Sequence, residues 1–351
     1  MRCPGPRPSG VPPDSGTPTG RIGSYCRLLG RASSFLAALA AASLLVRGEA
    51  SDGKQERPTR LLVRHTSDGL DKQRPAWSPD GRQLAFARHE AGGAHIRQYL
   101  MRTDPSSAPR RMTGRDEPEH NAVFSPDGKT LLMALISLSG TQGNLDIAAI
   151  HADGTGLKIV ARDSGKLSHQ DWPAWSLAGS RFAYSSTHEG NQEIYTAAAD
   201  GSQVARVTQS LGIDGHPCWT PDGTRLLFAT DRWGGLEIAS VLTDGTGLIR
   251  LTRSRGLDDY PACSPDGSRV AFVSNRDGQF EVYVCSADGS GPRNLSRHPL
   301  RDTYPTWRPD GRGVTFVSNR GGGSEIYTRL VSRSGDDEAN LAEDGREGDQ
   351  R

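Results

Sequence analysis

The sequence predicts an all-β protein: a six-bladed β-propeller of four-stranded antiparallel blades, closed by an N-terminal strand that joins the last blade. Three observations predict it. A Pro-Asp-Gly turn recurs in five copies and one degenerate sixth. The segments between the turns read as short apolar strands joined by Gly-containing turns. The last unit also lacks an outer strand, while an orphan strand precedes the first unit.

The turn follows a large residue in each copy: WSPDG at Trp77, FSPDG at Phe124, WTPDG at Trp219, CSPDG at Cys263 and WRPDG at Trp307, with WSLAG at Trp175 as the degenerate copy. Successive copies are 47, 51, 44, 44 and 44 residues apart. The two longer spacings contain the extra residues SLSGTQGN (137–144) and KLSHQ (166–170). A period near 44 residues holds one four-stranded blade.

The fifth unit shows the order of elements. YPACSPDG is a short innermost strand that ends in a turn, where Pro265 presets φ and Gly267 takes the left-handed position. SRVAFVSN follows, apolar on both faces from Val270 to Val273, as a strand covered on both sides requires. RDGQ makes the second turn, FEVYVCSA the third strand around Val282 and Val284, ADGSG (Ala287–Gly291) the third turn, and PRNLS the outer strand. EIYTAAADGSQVARVT (193–208) and EIASVLTDGTGLIRLT (237–252) repeat the pattern.

The last unit stops after EIYTRLV at Val331, and TRLLVRH (Thr59–His65) resembles the outer strands RVT and RLT. Joining that strand to the last blade leaves no free sheet edge. The propeller is therefore expected over 57–334 as one closed domain, and as a monomer.

The chain has 351 residues, with 42 Gly and 22 Pro to supply the turns. A net charge of +1 provides no bulk attraction to nucleic acid, and no apolar run reaches the ~20 residues of a membrane span. FLAALAAASLLV (Phe35–Val46), flanked by Arg31 and Arg47 and followed by Gly48-Glu49-Ala50, fits the apolar region and cleavage site of a secretory signal. Residues 1–50 are read as a signal peptide with a long basic leader, which places the mature protein in the periplasm or outside the cell. Cys26 follows Gly-Ser-Tyr, unlike a lipoprotein attachment site. After cleavage Cys218, Cys263 and Cys285 remain, an odd number read as buried free thiols. Residues 335–351 hold seven acidic and two basic residues and are expected as a disordered tail.

In such a meander the PDG and xDGxG turns share one face, and the outer-to-inner connections share the other with the middle turns. The second face varies from blade to blade and is the candidate binding face. Just before the Pro position of each innermost strand stand Arg74, Asn121, Trp172, His216, Tyr260 and Tyr304. Asp214, Asp258 and Asp302 begin three consecutive innermost strands, and Arg232, Arg276 and Arg320 occupy the matching middle turns. Aromatic rings, a histidine and paired charges around a channel mouth suit a protein or peptide loop. For the charges, a structural tie between loops is the competing reading; for the aromatics, loop packing competes equally.

No catalytic residues are assigned, because no GxSxG elbow, phosphate-binding loop or dinucleotide fingerprint occurs. Histidines are not at metal-ligand spacing. Ca²⁺ on channel-facing aspartates is the one ion the pattern admits. The DGTG and DGSG turns lack the acidic twelfth residue of a calcium loop, so neither metal nor cofactor is expected.

DDYPACSPDGSRVAFVSNRDGQFEVY and DTYPTWRPDGRGVTFVSNRGGGSEIY resemble the TolB-type propeller repeat, and the likeness extends over about 57–334. The resemblance implies a periplasmic protein of the bacterial envelope that binds the lipoprotein Pal across its propeller mouth. TolB proteins carry an α/β domain ahead of the propeller. Here about seven residues separate the expected cleavage site from the first strand, so that domain is expected to be missing. The related propellers of oligogalacturonate lyases carry a His-rich metal site, for which no matching cluster is seen.

Two readings follow: a non-enzymatic binding module for an envelope protein, and a lyase or hydrolase acting on an envelope or extracellular saccharide. Export has a direct check. Mass spectrometry of protein from its native host should find an N-terminus near Ser51, and intact protein in the cytoplasm would count against the signal.

Overall fold

A computed structural model describes residues 62–331, apart from 92–94, 105–106, 138–143 and 164–167. The expected signal peptide, its cleavage site, the acidic tail and the start of the orphan strand at Thr59 lie outside the described residues.

Six four-stranded antiparallel sheets make up the described residues, and five are built from consecutive strands. Their spans are 72–111, 119–161, 170–206, 214–250 and 258–294, numbered here as blades one to five. Blade six takes its inner three strands from Asp302–Trp307, Gly313–Ser318 and Glu325–Leu330, and its outer strand from Leu62–Arg64. Leu62, Val63 and Arg64 pair with Arg329, Thr328 and Tyr327, so the N-terminal strand closes the ring as expected.

The second and third strands of each blade carry most of its buried residues. Phe86, Phe228, Phe272 and Phe316 occupy one equivalent position and are all inaccessible to solvent, and Met133 and Tyr184 take that position in blades two and three. Buried apolar clusters join each blade to the next. One holds Leu227, Phe272 and Tyr283 of blades four and five, and another joins Trp77 and Phe86 of blade one to Val317 and Ile326 of blade six. The apolar contact thus runs through the closing interface like any other.

Repeated side-chain bonds hold the turns. In blade five the Ser264 hydroxyl donates to Asp266 (2.6 Å) and accepts from Arg269 N (2.9 Å), while Asp266 accepts from Ser268 N (3.1 Å). The Ser264 bond, with those from Ser268, pushes the Asp266 carboxyl down to about 2. The degenerate turn of blade three lacks the aspartate. It keeps the Ser176 hydroxyl bond to Arg181 N (3.2 Å), and Gly179 holds φ at 70°. The third turns need glycine for another reason: a Cβ on Gly201 would collide with the backbone carbonyl of Val160 in the preceding blade.

The closing strand reproduces the outer-strand chemistry of the other blades. In blades three and four, Thr208 and Thr252 donate to Glu193 and Glu237 and accept from Ile194 N and Ile238 N. Thr66 does the same with Glu325 and Ile326 N. Where blades four to six begin with aspartate, blade one begins with Lys72. Its Nζ lies 2.8 Å from Glu325, with both side chains fully buried, and it also pairs with Asp68. A buried charge left without its partner costs about 3–5 kcal/mol, a cost that Arg64, 3.6 Å from Glu325, offsets in part. Lys72→Met should therefore lower the melting temperature sharply, and Lys72→Met/Glu325→Gln should recover much of the loss. Equal melting of the single variant and the parent would show that this pair does not hold the ring closed.

Candidate binding site at the propeller axis

All six residues singled out before the Pro position share one unusual conformation. Arg74, Asn121, Trp172, His216, Tyr260 and Tyr304 have φ of 44°, 57°, 58°, 55°, 53° and 56°. The sequence placed them at the entry to the innermost strands. They lie instead within those strands, where the register of every inner pair shifts, as between Asp259 and Ala262. The local reason is a β-bulge, which adds a residue to one strand and re-aims a side chain.

The bulge turns these side chains toward one another. Trp172 of blade three meets His216 of blade four at 4.1 Å between ring centroids, Tyr260 of blade five at 5.2 Å and Tyr304 of blade six at 6.3 Å. His216 stacks on Tyr260 at 4.3 Å, and Tyr260 meets Tyr304 edge-on at 4.9 Å. The Arg74 guanidinium of blade one lies 4.3 Å from the Trp172 ring and donates to Pro173 O at 3.1 Å. Blades three and six are opposite each other in a six-bladed ring, so the Trp172–Tyr304 contact spans the axis. The cluster is a half-buried floor across the channel rather than an open rim.

Carboxylates one residue ahead of the bulge fix the polar members. Asp171 accepts from Asn121 Nδ2 and from Trp172 N, each at 2.7 Å. Asp259 pairs with His216 Nδ1 at 2.5 Å and accepts from Tyr260 N at 2.7 Å. The Asn121 and His216 bonds each tie one blade to the next. Burial pushes Arg74 down to about 10 against the opposing pull of Asp171. Burial also raises both tyrosine phenols above their ordinary value; the neighbouring tyrosine adds to this at Tyr260.

The three aspartates have a different placement. Asp214, Asp258 and Asp302 are fully buried and offer no surface to a partner. Arg232 donates to both oxygens of Asp214 (2.9 and 2.7 Å), Arg276 to both of Asp258 (3.0 Å each), and Arg320 to Asp302 (2.8 Å). Each arginine also lies over the core phenylalanine of its own blade, as Arg276 does over Phe272 at 5.3 Å. These pairs cap the blade core and anchor the middle turn, which was the competing reading of the charges. Sequence reasoning passed over Asp171 and Asp259. The signal for them was an acidic residue directly before two of the six ring positions.

Among the described residues, no group of three or more His, Cys, Asp or Glu side chains is arranged to hold a metal ion, and no helix is long and apolar enough to cross a membrane. Chemically, the floor offers flat aromatic surface, one guanidinium and an imidazole oriented by a carboxylate.

Comparison with known proteins supplies the family. The chain is 28% identical over 121 residues to "Tol-Pal system protein TolB" of Anaeromyxobacter dehalogenans, a match that covers 31% of this chain and 26% of that protein. The chain thus matches about a quarter of that relative's length. Among solved structures it is similar to a putative TolB from Agrobacterium tumefaciens, with a TM-score of 0.59, 22% identity, and coverage of 75% of this chain and 91% of the other. It is also similar to an oligogalacturonate lyase from Vibrio parahaemolyticus, with a TM-score of 0.54, 14% identity, and coverage of 78% and 94%. At these identities the two structures show the fold alone. The sequence model of the TolB beta propeller domain matches residues 158–259 and 250–346, more than half of the chain, and the protein belongs to that family.

Proposed function

We propose that the protein is an exported, TolB-like binding module of the cell envelope that holds a protein or peptide partner against the axial cluster. The observation that carries this reading is the backbone conformation of the cluster. A left-handed φ suits glycine and costs a bulky residue about 1–3 kcal/mol. All six blades place a non-glycine residue there, four of them aromatic or imidazole. The bulge belongs to the fold, since every blade has it, but the side chains do not follow from it. Retaining them against the strain is understood if they make the contacts with a partner. Rigid rings supply contact area with few rotamers to freeze, and an arginine beside them is typical of binding hot spots. TolB relatives act in the Tol-Pal system by name, which favours an envelope protein as the partner, an envelope lipoprotein among them.

A second reading rests on the His216–Asp259 pair. An imidazole oriented by a carboxylate, beside two phenols, is a general-base arrangement, and an oligogalacturonate lyase shares the fold. Turnover of uronic-acid oligomers that is lost in His216→Ala would favour this reading over the binding module; no turnover with or without added Mn²⁺ would remove it.

The binding reading predicts a specific pattern among variants. Tyr304 also packs against the Trp77–Val317 cluster, so Tyr260 is the cleaner position to change. Tyr260→Ala should weaken partner capture from membrane extract, quantified by mass spectrometry, by about 2 kcal/mol or roughly thirty-fold. Tyr260→Gly should lose binding equally, yet melt above Tyr260→Ala, because glycine accepts φ of 53°. Normal capture with a much lower melting temperature would reduce the tyrosine to a packing residue.

A further inference from the structure

Blades four and five meet differently from the interfaces on either side. At the residue that ends the innermost strand, Trp219 of blade four donates its Nε1 hydrogen to Ala174 O of blade three at 3.0 Å. Trp307 of blade six does the same to Ala262 O of blade five, also at 3.0 Å. In both contacts the partner lies 45 residues back in the chain. Blade five has Cys263 where blades four and six have tryptophan, and the residue 45 positions back is Cys218. Their Sγ atoms are 3.5 Å apart. The register that at the two adjoining interfaces delivers an indole to a backbone carbonyl here delivers one thiol to another.

We propose that Cys218 and Cys263 form a disulfide that staples blade four to blade five beside the axial cluster. A disulfide places its sulfurs about 2.05 Å apart, so the pair must close by roughly 1.5 Å, by side-chain rotation with a small shift of the blades. The oxidant is an external disulfide, either oxidised glutathione or a thiol–disulfide oxidoreductase. One protein thiolate attacks a sulfur of that disulfide and releases a thiolate, which takes up the proton the protein thiol gave up. The second protein thiolate attacks the protein sulfur of the mixed disulfide and releases the other external thiol in the same way. Two protein thiols are oxidised, and one external disulfide is reduced to two thiols.

The surroundings set when this happens. Cys218 and Cys263 are half-buried, and both pack against the cluster of Leu227 and Phe272. The hydrogen bond between Cys263 and Cys218, and then burial, hold the Cys263 thiol above its usual value. Attack led by Cys263 from the folded state is therefore slow, and the bond is expected to close as the two blades come together. Cys285 lies in the same cluster but is buried, and burial pushes its thiol up to about 12, which makes it the resistant third thiol. The bond depends on the oxidant and not on what occupies the axis, so it stands or falls separately from the proposed function.

The test uses the full chain, reduced and unfolded, then refolded in a buffer of oxidised and reduced glutathione. Free thiols are alkylated in denaturant, and tryptic peptides are read by mass spectrometry. The expected product joins the peptide containing Cys218 to the peptide containing Cys263, with Cys285 alkylated. Reductant should then lower the melting temperature of the cross-linked protein by roughly 5 °C or more. Separate alkylation or glutathionylation of Cys218 and Cys263, or linkage of either to Cys285, Cys3 or Cys26, would overturn the assignment. The peptide measurement on the parent chain needs no variant to fold. Cys218→Ser adds a control, in which Cys263 should instead be recovered unlinked to Cys285.

Discussion

Every blade of this protein has two apolar faces, and neither is satisfied within the blade. The second strand of blade five, Arg269–Ser274, is buried from Val270 onward, although its side chains alternate across the sheet. Only neighbours on both sides can cover such a sheet. The requirement passes from blade to blade and ends only when the last meets the first. Ring closure is thus the condition under which each core exists. The interface between blades six and one is correspondingly equipped, with an apolar cluster, a borrowed outer strand and the buried Lys72–Glu325 pair.

Closure also creates the candidate site. Six innermost strands converging on one axis bring six equivalent positions together, and a bulge in each strand turns those side chains inward. Trp172 reaches rings from three other blades because the axis is narrow at that level. The aspartates beginning the strands of blades four to six face away from this space. They are taken up by Arg232, Arg276 and Arg320, whose guanidiniums lie over the core phenylalanines of their own blades. One strand therefore supplies a structural residue and, two positions on, an axial one.

Departures from the repeat mark local specialisation. Lys72 replaces an aspartate at the blade start and forms the closing ion pair. Cys263 replaces the tryptophan at the end of an innermost strand and meets Cys218. Leu177 and Ala178 replace Pro-Asp in the degenerate turn, which the Ser176 hydroxyl and Gly179 still hold.

The sequence by itself determined the fold. The 44-residue period, the turn chemistry of Pro-Asp-Gly and the displaced outer strand are local or countable features, so blade number, strand order and closure were all legible. It also pointed to the six axial positions, because they recur at a fixed offset from each turn. It did not determine their conformation or company. A bulge leaves no distinctive residue when none of the six is glycine, and alternation along a strand says nothing about which side chains cross an axis. For the same reason Asp258 and Asp259 look alike in the chain, although one caps a blade core and the other holds His216. The meeting of Cys218 and Cys263 was likewise invisible in the spacing. Contacts between blades are set by the radius and stagger of the assembled ring, and those exist only once all six blades are in place.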